Sequence, residues 1–304
     1  MLYRASAVFA TVVAKSPERY LPIVDAAAGA AVAPVPRQSA AGIRLDLSQA
    51  SFERELRHVR YELSLDIVLR ELLGLETIDT TLSRISALAE ALIERSQRYI
   101  WEQAGVDPDD WIVLAYGKLG AGDLNLSSDV DLGVLCLSDD KIHESPKILP
   151  MIRRFGEILS RRTEDGFAYR VDWRLRPGGS ASPLVRSASS YLRYYEQHQS
   201  VAERLPLLRM RAVAGSLAAF DELRSSLAPL VYKRSTTTQE IGMLHGLKRK
   251  IELAASVAPN PFATSGGAPG ADGILGYNLK LGRGGIRDIE FFVNALQLLF
   301  GGRI

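Results

Sequence analysis

Two short apolar runs, Trp111 to Ala115 and Val130 to Leu137, flank a glycine-rich segment, Gly117-Lys118-Leu119-Gly120-Ala121-Gly122, and Asp129-Val130-Asp131 heads the second run. Both runs contain β-branched residues and are bounded by Gly, Ser or Asp, which predicts strands. Side chains at i and i+2 of a strand point the same way, so Asp129 and Asp131 form a paired acidic edge next to a glycine turn. Carboxylates on one strand face can hold two divalent cations, which clamp the oxygens of a displacement at phosphorus. Such a site needs a third acid from a neighbouring strand. From Phe167 to Arg176, Phe167, Tyr169, Val171, Trp173 and Leu175 alternate with Ala168, Arg170, Asp172, Arg174 and Arg176. That alternation predicts one strand ended by Pro177, with Asp172 on its polar face beside three arginines suited to bidentate phosphate contacts. Asp-x-Asp alone is common in loops and caps. The glycine segment is not a Walker A loop, because Leu119 stands where Ser or Thr would follow Gly-Lys.

The flanking sequence is helical. Phe52, Leu56, Val59, Leu63 and Ile67 recur at helical steps with charged residues between them, and Ser51 is the expected cap. A second run through Leu82, Ile85, Ala89, Leu92 and Ile93 reaches Trp101 and ends before Gly105. Leu149, Ile152, Phe155 and Leu159 predict a helix between Pro146 and Arg162. The pattern is helical again beyond Ser187, and a last helix from Gly285 places Ile286, Ile289, Val293, Leu296 and Phe300 on one face. Because that face needs cover and the sequence stops four residues later, the chain is expected to continue past Ile304. Ala26 to Gly42 and Ser256 to Gly276 read as linkers rich in Ala, Pro and Gly. The organisation predicted is a helical region over 1–105, a mixed α+β domain over 106–215 and a helical region over 216–304. There is no internal repeat.

Composition removes several alternatives. With 37 Lys plus Arg against 35 Asp plus Glu, the net charge of +2 gives no bulk attraction for nucleic acid. Cys136 is the only cysteine, so no intramolecular disulfide forms and a reducing compartment is expected. His58, His143, His198 and His245 have no metal-ligand spacing, so zinc is not expected. The apolar stretch from Ala5 to Ala14 is too short to span a bilayer; with Val12, Val13, Tyr20, Leu21 and Ile23 it reads as part of a folded helical hairpin.

The order of strand, glycine turn, Asp-x-Asp strand, helix, and strand with Asp and Arg resembles the nucleotidyltransferase pattern of the DNA polymerase β superfamily, except that Lys118 stands where that superfamily usually has Gly or Ser. Four strings narrow the resemblance: Gly117-Lys118-Leu119-Gly120, Leu124 to Leu132, Arg170 to Pro177, and Gly284 to Phe291. They resemble those of the bifunctional glutamine synthetase adenylyltransferase/adenylyl-removing enzymes. Asn125-Leu126-Ser127-Ser128, Pro183-Leu184-Val185 and Asn278 to Gly282 are similar to the adenylyl-removing half, the adding half usually having Gly at the positions of Asn125 and Ser127. The resemblance implies a polymerase β-like nucleotidyltransferase domain flanked by helices. The reaction it implies is phosphorolysis, in which inorganic phosphate removes AMP from a tyrosine of glutamine synthetase and leaves ADP. It assigns Asp129, Asp131 and Asp172 to Mg²⁺ or Mn²⁺ and to catalysis, and Gly117, Lys118, Gly120, Ser128, Arg174 and Arg176 to nucleotide and phosphate. Glu290 is a further candidate that could instead pair with Arg287 or Asn294 on its own helix. The expected setting is cytoplasmic, with adenylylated glutamine synthetase, a PII-type signal protein and adenine nucleotides as partners, and neither nucleic acid nor membrane. Adenylylation from ATP, or docking without catalysis, are the other functions such a fold could serve.

Overall fold

The computed structural model describes residues 7–29, 33–140, 147–233, 235, 237–257, 280, 282 and 284–303. The chain divides into two compact units, Met1–Tyr191 with Arg209–Leu223, and Leu192–Leu208 with Arg224–Ile304.

The first unit opens with α1 (Ala7–Lys15) and α2 (Pro17–Ala28), the expected hairpin, whose Phe9, Tyr20 and Ala27 are buried with Tyr61, Leu65 and Leu69. Leu21 differs from expectation and faces solvent. The Ala/Pro segment is not wholly a linker: α2 runs to Ala28, and Pro36–Ala41 form α3, because proline is tolerated in a first helical turn and Ala40 is small enough to bury. Helix α4 (Gln49–Leu72) starts one turn earlier than expected. Ser48, not Ser51, is its cap, and the Ser48 hydroxyl accepts the Ser51 N–H at 3.4 Å. Helix α5 (Ile78–Gln103) ends before Gly105, which takes a left-handed φ of 68°.

The sheet follows. Strand β1 (Trp111–Tyr116) leads into the short helix α6 (Gly117–Ala121), then β2 (Val130–Cys136), α7 (Ile148–Ser160), β3 (Val171–Asp172) and β4 (Val185–Ser187). Helices α8 (Ala188–Gln197) and α9 (Val201–Arg204) come next, then β5 (Arg211–Gly215) and α10 (Leu217–Val231). The strand order is β3-β2-β1-β5; β1 runs antiparallel to β2 and β5, whereas β3 and β4 both run parallel to β2. Helices α5 and α7 cover the sheet through Trp101, which meets Trp111 and Phe155 edge to face at 5.8 and 5.5 Å. All six residues of β1 are buried, as expected for a strand with neighbours on both sides.

The expected long strand from Phe167 to Arg176 is instead two residues, β3. Ala168 and Tyr169 are buried consecutively, and both their N–H groups donate to the Leu159 carbonyl, so the approach to β3 follows the end of α7. After Asp172 the chain leaves the sheet through Gly178 and Gly179, both at positive φ, and returns to the same edge of β2 as β4. Strand β5 interrupts the helical pattern expected beyond Ser187. Gly215 closes β5 with φ 79°, where a Cβ would lie 2.0 Å from the Trp111 carbonyl oxygen.

In the second unit, α11 (Thr238–Val257) is joined to α9 by buried Arg204, which donates to the Val231 carbonyl at 3.2 Å and to Glu240 at 2.6 Å. Helix α11 takes in Ser256 and Val257, where the loop is expected to begin; the rest of that segment, within residues 258–279, lies outside the described ones, as does His143. The last helix, α12 (Ile286–Phe300), forms as expected, with Leu298 buried and Ile289, Phe292 and Phe300 exposed.

Candidate active site

Strand pairing brings the acidic residues together. In the parallel register of β2 and β3, Val130 is opposite Val171 and Asp131 is opposite Asp172. The Val130 N–H donates to the Arg170 carbonyl at 2.9 Å, which fixes Asp129 at the same end of β2. Across the antiparallel pair, Asp131 is opposite Tyr116, the last residue of β1.

The glycine turn shapes the floor. Gly117 has φ 55°, and a Cβ built on it would lie 2.6 Å from Asp131 Oδ2, so the Asp131 carboxylate rests against bare backbone. A Cβ on Gly120 would lie 1.7 Å from the Arg209 carbonyl oxygen, which sets α6 directly on the approach to β5. Gly120 is thus required by packing. Lys118 is half-buried on α6, and its carbonyl accepts the Asp123 N–H at 3.0 Å. Asn125 closes the turn before the strand: its Oδ1 accepts the Ser127 N–H at 3.3 Å and the Ser128 hydroxyl at 2.7 Å. Ser128 is therefore engaged in holding the turn that presents Asp129.

Two arginines hold the outer carboxylates. Arg170 forms an ion pair with Asp129 and donates to the Ser127 carbonyl at 2.7 Å, and its guanidinium lies 5.9 Å from the centre of the Phe167 ring. Arg174 wraps Asp172 with its backbone N–H at 2.8 Å and its Nε at 3.0 and 2.8 Å from the two oxygens. Those side-chain bonds, with help from the backbone bond and from Arg176, hold the Asp172 carboxyl below the usual aspartate range despite its partial burial. In turn the Arg174 guanidinium is raised, first by its hydrogen bonds to Asp172 and also by the charges of Asp131 and Asp129. Its hydrogen bonds go to Asp172.

Arg176 is placed differently. With the strand ended at Asp172, Arg176 does not continue its polar face; it donates to the carbonyls of Trp173, Ser180, Ser182 and Pro183 and stitches the loop between β3 and β4. Burial, then Arg186, lowers its guanidinium. Glu290 lies half-buried on α12 in the second unit. Sequence reasoning did not assign Arg170 a partner. Its parity with Asp172 was visible, but Asp129 lies 41 residues away in the chain.

The donors present are oxygen atoms of three carboxylates, with a glycine floor that leaves Asp131 room, and this chemistry suits a hard divalent cation. Among the described residues, no three His, Cys, Asp or Glu side chains converge on one point. The outer two carboxylates are turned onto Arg170 and Arg174, whose guanidinium groups are the cations they hold.

A small mixed sheet within a mostly helical chain, with three aspartates at one end of its second strand, defines an α+β protein of acidic-edge type. The chain belongs to the glutamate-ammonia ligase adenylyltransferase family, whose model matches residues 2–224. A second family model, GlnD PII-uridylyltransferase, matches residues 268–304. Curated proteins named bifunctional glutamine synthetase adenylyltransferase/adenylyl-removing enzyme are similar to this chain. That of Mesorhizobium japonicum is 35% identical over 275 aligned residues, covering 84% of this chain and 27% of the relative. That of Rhodopseudomonas palustris strain HaA2 is 31% identical, covering 87% of this chain and 27% of the relative. That of Brucella suis is 33% identical, with 87% and 28% covered. The chain thus spans about a quarter of the length of these relatives. Among the described residues, no helix is long and apolar enough to cross a membrane.

Proposed function

We propose that this chain removes AMP from an adenylylated tyrosine of glutamine synthetase by phosphorolysis. Inorganic phosphate attacks the phosphorus of the AMP ester, the bond from phosphorus to the tyrosine oxygen breaks, and ADP and unmodified synthetase leave. The observation that carries this reading is the register of β2 and β3, which sets Asp131 beside Asp172 with Asp129 at the same end and Arg174 bonded to Asp172.

Asp129, Asp131 and Asp172 are the residues that would hold Mg²⁺ or Mn²⁺. A cation bound there neutralises charge on the oxygens of a displacement at phosphorus. Arg174 supplies a cation for the attacking phosphate, a small anion that needs positioning in line with the leaving oxygen. Lys118 and the Gly120 to Gly122 backbone are assigned to the nucleotide phosphates. The direction of reaction rests on the turn before Asp129. Asn125 holds Ser127 and Ser128 there, in the string that resembles the adenylyl-removing half. In this reading the protein is a cytoplasmic regulator of nitrogen assimilation, with glutamine synthetase as substrate and a PII-type protein as its signal.

The test is to incubate adenylylated glutamine synthetase with this chain and Mg²⁺ or Mn²⁺, with and without phosphate. ADP release that depends on phosphate is the expected result. Pyrophosphate formed from ATP and unmodified synthetase would assign the opposite reaction. AMP released at the same rate without phosphate would make water the nucleophile and overturn phosphorolysis.

A further inference from the structure

The two arginines at the acidic edge are held less firmly than their hydrogen bonds suggest. Arg170 and Asp129 are both about half exposed, and Arg174 is exposed on nearly four-fifths of its side-chain surface. An ion pair as exposed as Arg170–Asp129 contributes only about 0.2–1 kcal/mol, and Arg174 holds the mostly buried Asp172 from the solvent side, so a divalent cation drawn to the same oxygens can displace both. Arg170 is also kept close when it leaves. Its backbone carbonyl is bonded to Val130 at the head of β2, and its guanidinium already lies over Phe167, whose ring also meets Arg162 at 5.0 Å and Arg60 at 5.7 Å. A guanidinium released from Asp129 therefore stays beside the site with its donors available to an anion.

We propose that Arg170 and Arg174 are exchangeable counter-ions of the acidic edge, displaced from Asp129 and Asp172 by a divalent cation and thereby freed to hold phosphate, so that cation and anion bind with positive coupling. This assigns Arg170 to phosphate binding and rests on the metal and phosphate reading given above. The coupling is reciprocal: phosphate that engages the freed guanidinium groups must tighten cation binding by the same factor.

The experiment is Mn²⁺ binding to the full chain, followed by electron paramagnetic resonance, with and without inorganic phosphate, in wild type, Arg170→Gln, Arg170→Lys and Arg162→Gln. Without phosphate, Arg170→Gln should bind Mn²⁺ about two- to fivefold more tightly than wild type, the equilibrium equivalent of one exposed ion pair. Arg170→Lys should fall between them, and phosphate should tighten Mn²⁺ binding in wild type more than in Arg170→Gln. Arg162→Gln removes the same charge from the same ring and should leave Mn²⁺ affinity nearly unchanged. Thermal melting checks the fold, and lost packing would not raise affinity. An Arg170→Gln affinity equal to or weaker than wild type would overturn the proposal, as would an equal rise in Arg162→Gln, which would make the effect one of general charge. Absence of Mn²⁺ binding in every variant would overturn the metal reading and this proposal together. The expected shifts without ADP release from adenylylated synthetase would support the exchange and overturn only the assigned reaction.

Discussion

The first unit contains two clusters of arginine and carboxylate with the same chemistry and opposite burial. On α4, Arg57 is 0% and Glu53 3% exposed; Arg57 donates to the Glu53 backbone carbonyl at 2.6 Å, to the Arg161 carbonyl at 2.7 Å and to the Gly166 carbonyl at 3.1 Å. Every direction from its guanidinium ends on a protein oxygen. At the acidic edge, Arg170 is 54% and Asp129 48% exposed, and the guanidinium divides between one carboxylate and one carbonyl. Removing one partner of a buried pair strands the other without water, whereas an exposed pair exchanges readily with solvent and ions. Burial therefore separates the cluster that fixes α4 against the end of α7 from the one open to solvent and ions.

The sharpest way to break this comparison is to remove charge at the acidic edge. Asp129→Asn, Asp131→Asn and Asp172→Asn should each lower deadenylylation by two orders of magnitude or more, because lost ligand charge removes several kcal/mol of electrostatic stabilisation. Their melting temperatures should stay close to wild type. Turnover near normal in any of them would remove that residue from the site, and a large drop in melting temperature would make it structural.

The buried cluster should behave in the opposite way. Arg57→Gln leaves the buried Glu53 with Arg161 and Gln49 as its remaining partners, and should lose about 3 kcal/mol in denaturant unfolding. Once folded, the variant should bind Mn²⁺ as wild type does. A loss below about 1 kcal/mol would mean that Arg161 and water replace Arg57, and burial would no longer distinguish the clusters.

A third cluster, in the second unit, tests whether the rule extends. Glu240 accepts from Arg204, from Lys233 at 3.1 Å and from the Thr237 N–H at 3.0 Å. Burial pushes its carboxyl up, but these bonds outweigh it and the net direction is down. A lowered carboxyl contributes stability that is complete above the unfolded glutamate value, about 4.3, and is lost as pH falls through the folded value. Glu240→Gln should therefore be less stable by about 2 kcal/mol at pH 7, and the gap should narrow as pH falls below about 4. Unfolding curves at pH 7 and pH 3.5 with an unchanged gap would show that its charge contributes nothing.

How much of this was legible in the sequence depended on whether the deciding contact was local. Asp129 and Asp131 stand out because period two is a local property and two carboxylates at the head of an apolar run have no packing role. The long helices are legible for the same reason. The alternation from Phe167 to Arg176 misleads because the contacts that decide it are tertiary: the Leu159 carbonyl takes two successive N–H groups, and Arg176 gathers the Trp173 carbonyl and three carbonyls of the loop that follows. Strand β5 has no signature beyond Ala212, Val213 and Ala214, small residues that fit a strand only because β1 lies beside them. The pairing of Arg170 with Asp129 becomes visible only when β3 is laid in register on β2.

The smallest expected effect concerns the floor of the acidic edge, and it sharpens the comparison most. The buried cluster is held by bonds from Arg57 to Glu53 and to the carbonyls of Glu53, Arg161 and Gly166. Asp131 instead rests on Gly117, whose φ of 55° suits glycine and whose missing side chain leaves space for the carboxylate. Gly117→Ala should cost about 1 kcal/mol of stability, the ordinary penalty for a side chain in the left-handed region. Its effect on the site should be larger than that. The new methyl would stand 2.6 Å from Asp131 Oδ2, and either the carboxylate turns away or the turn shifts towards Lys118. Mn²⁺ affinity and turnover should then fall together while unfolding changes little. Gly74→Ala is the matched control, since Gly74 also has a positive φ, 72°, but a Cβ there meets nothing within 4 Å. The two variants should lose similar stability, and only Gly117→Ala should lose Mn²⁺ affinity. If both bind Mn²⁺ equally well, the glycine turn shapes only the backbone, and the acidic edge owes its geometry to strand register alone.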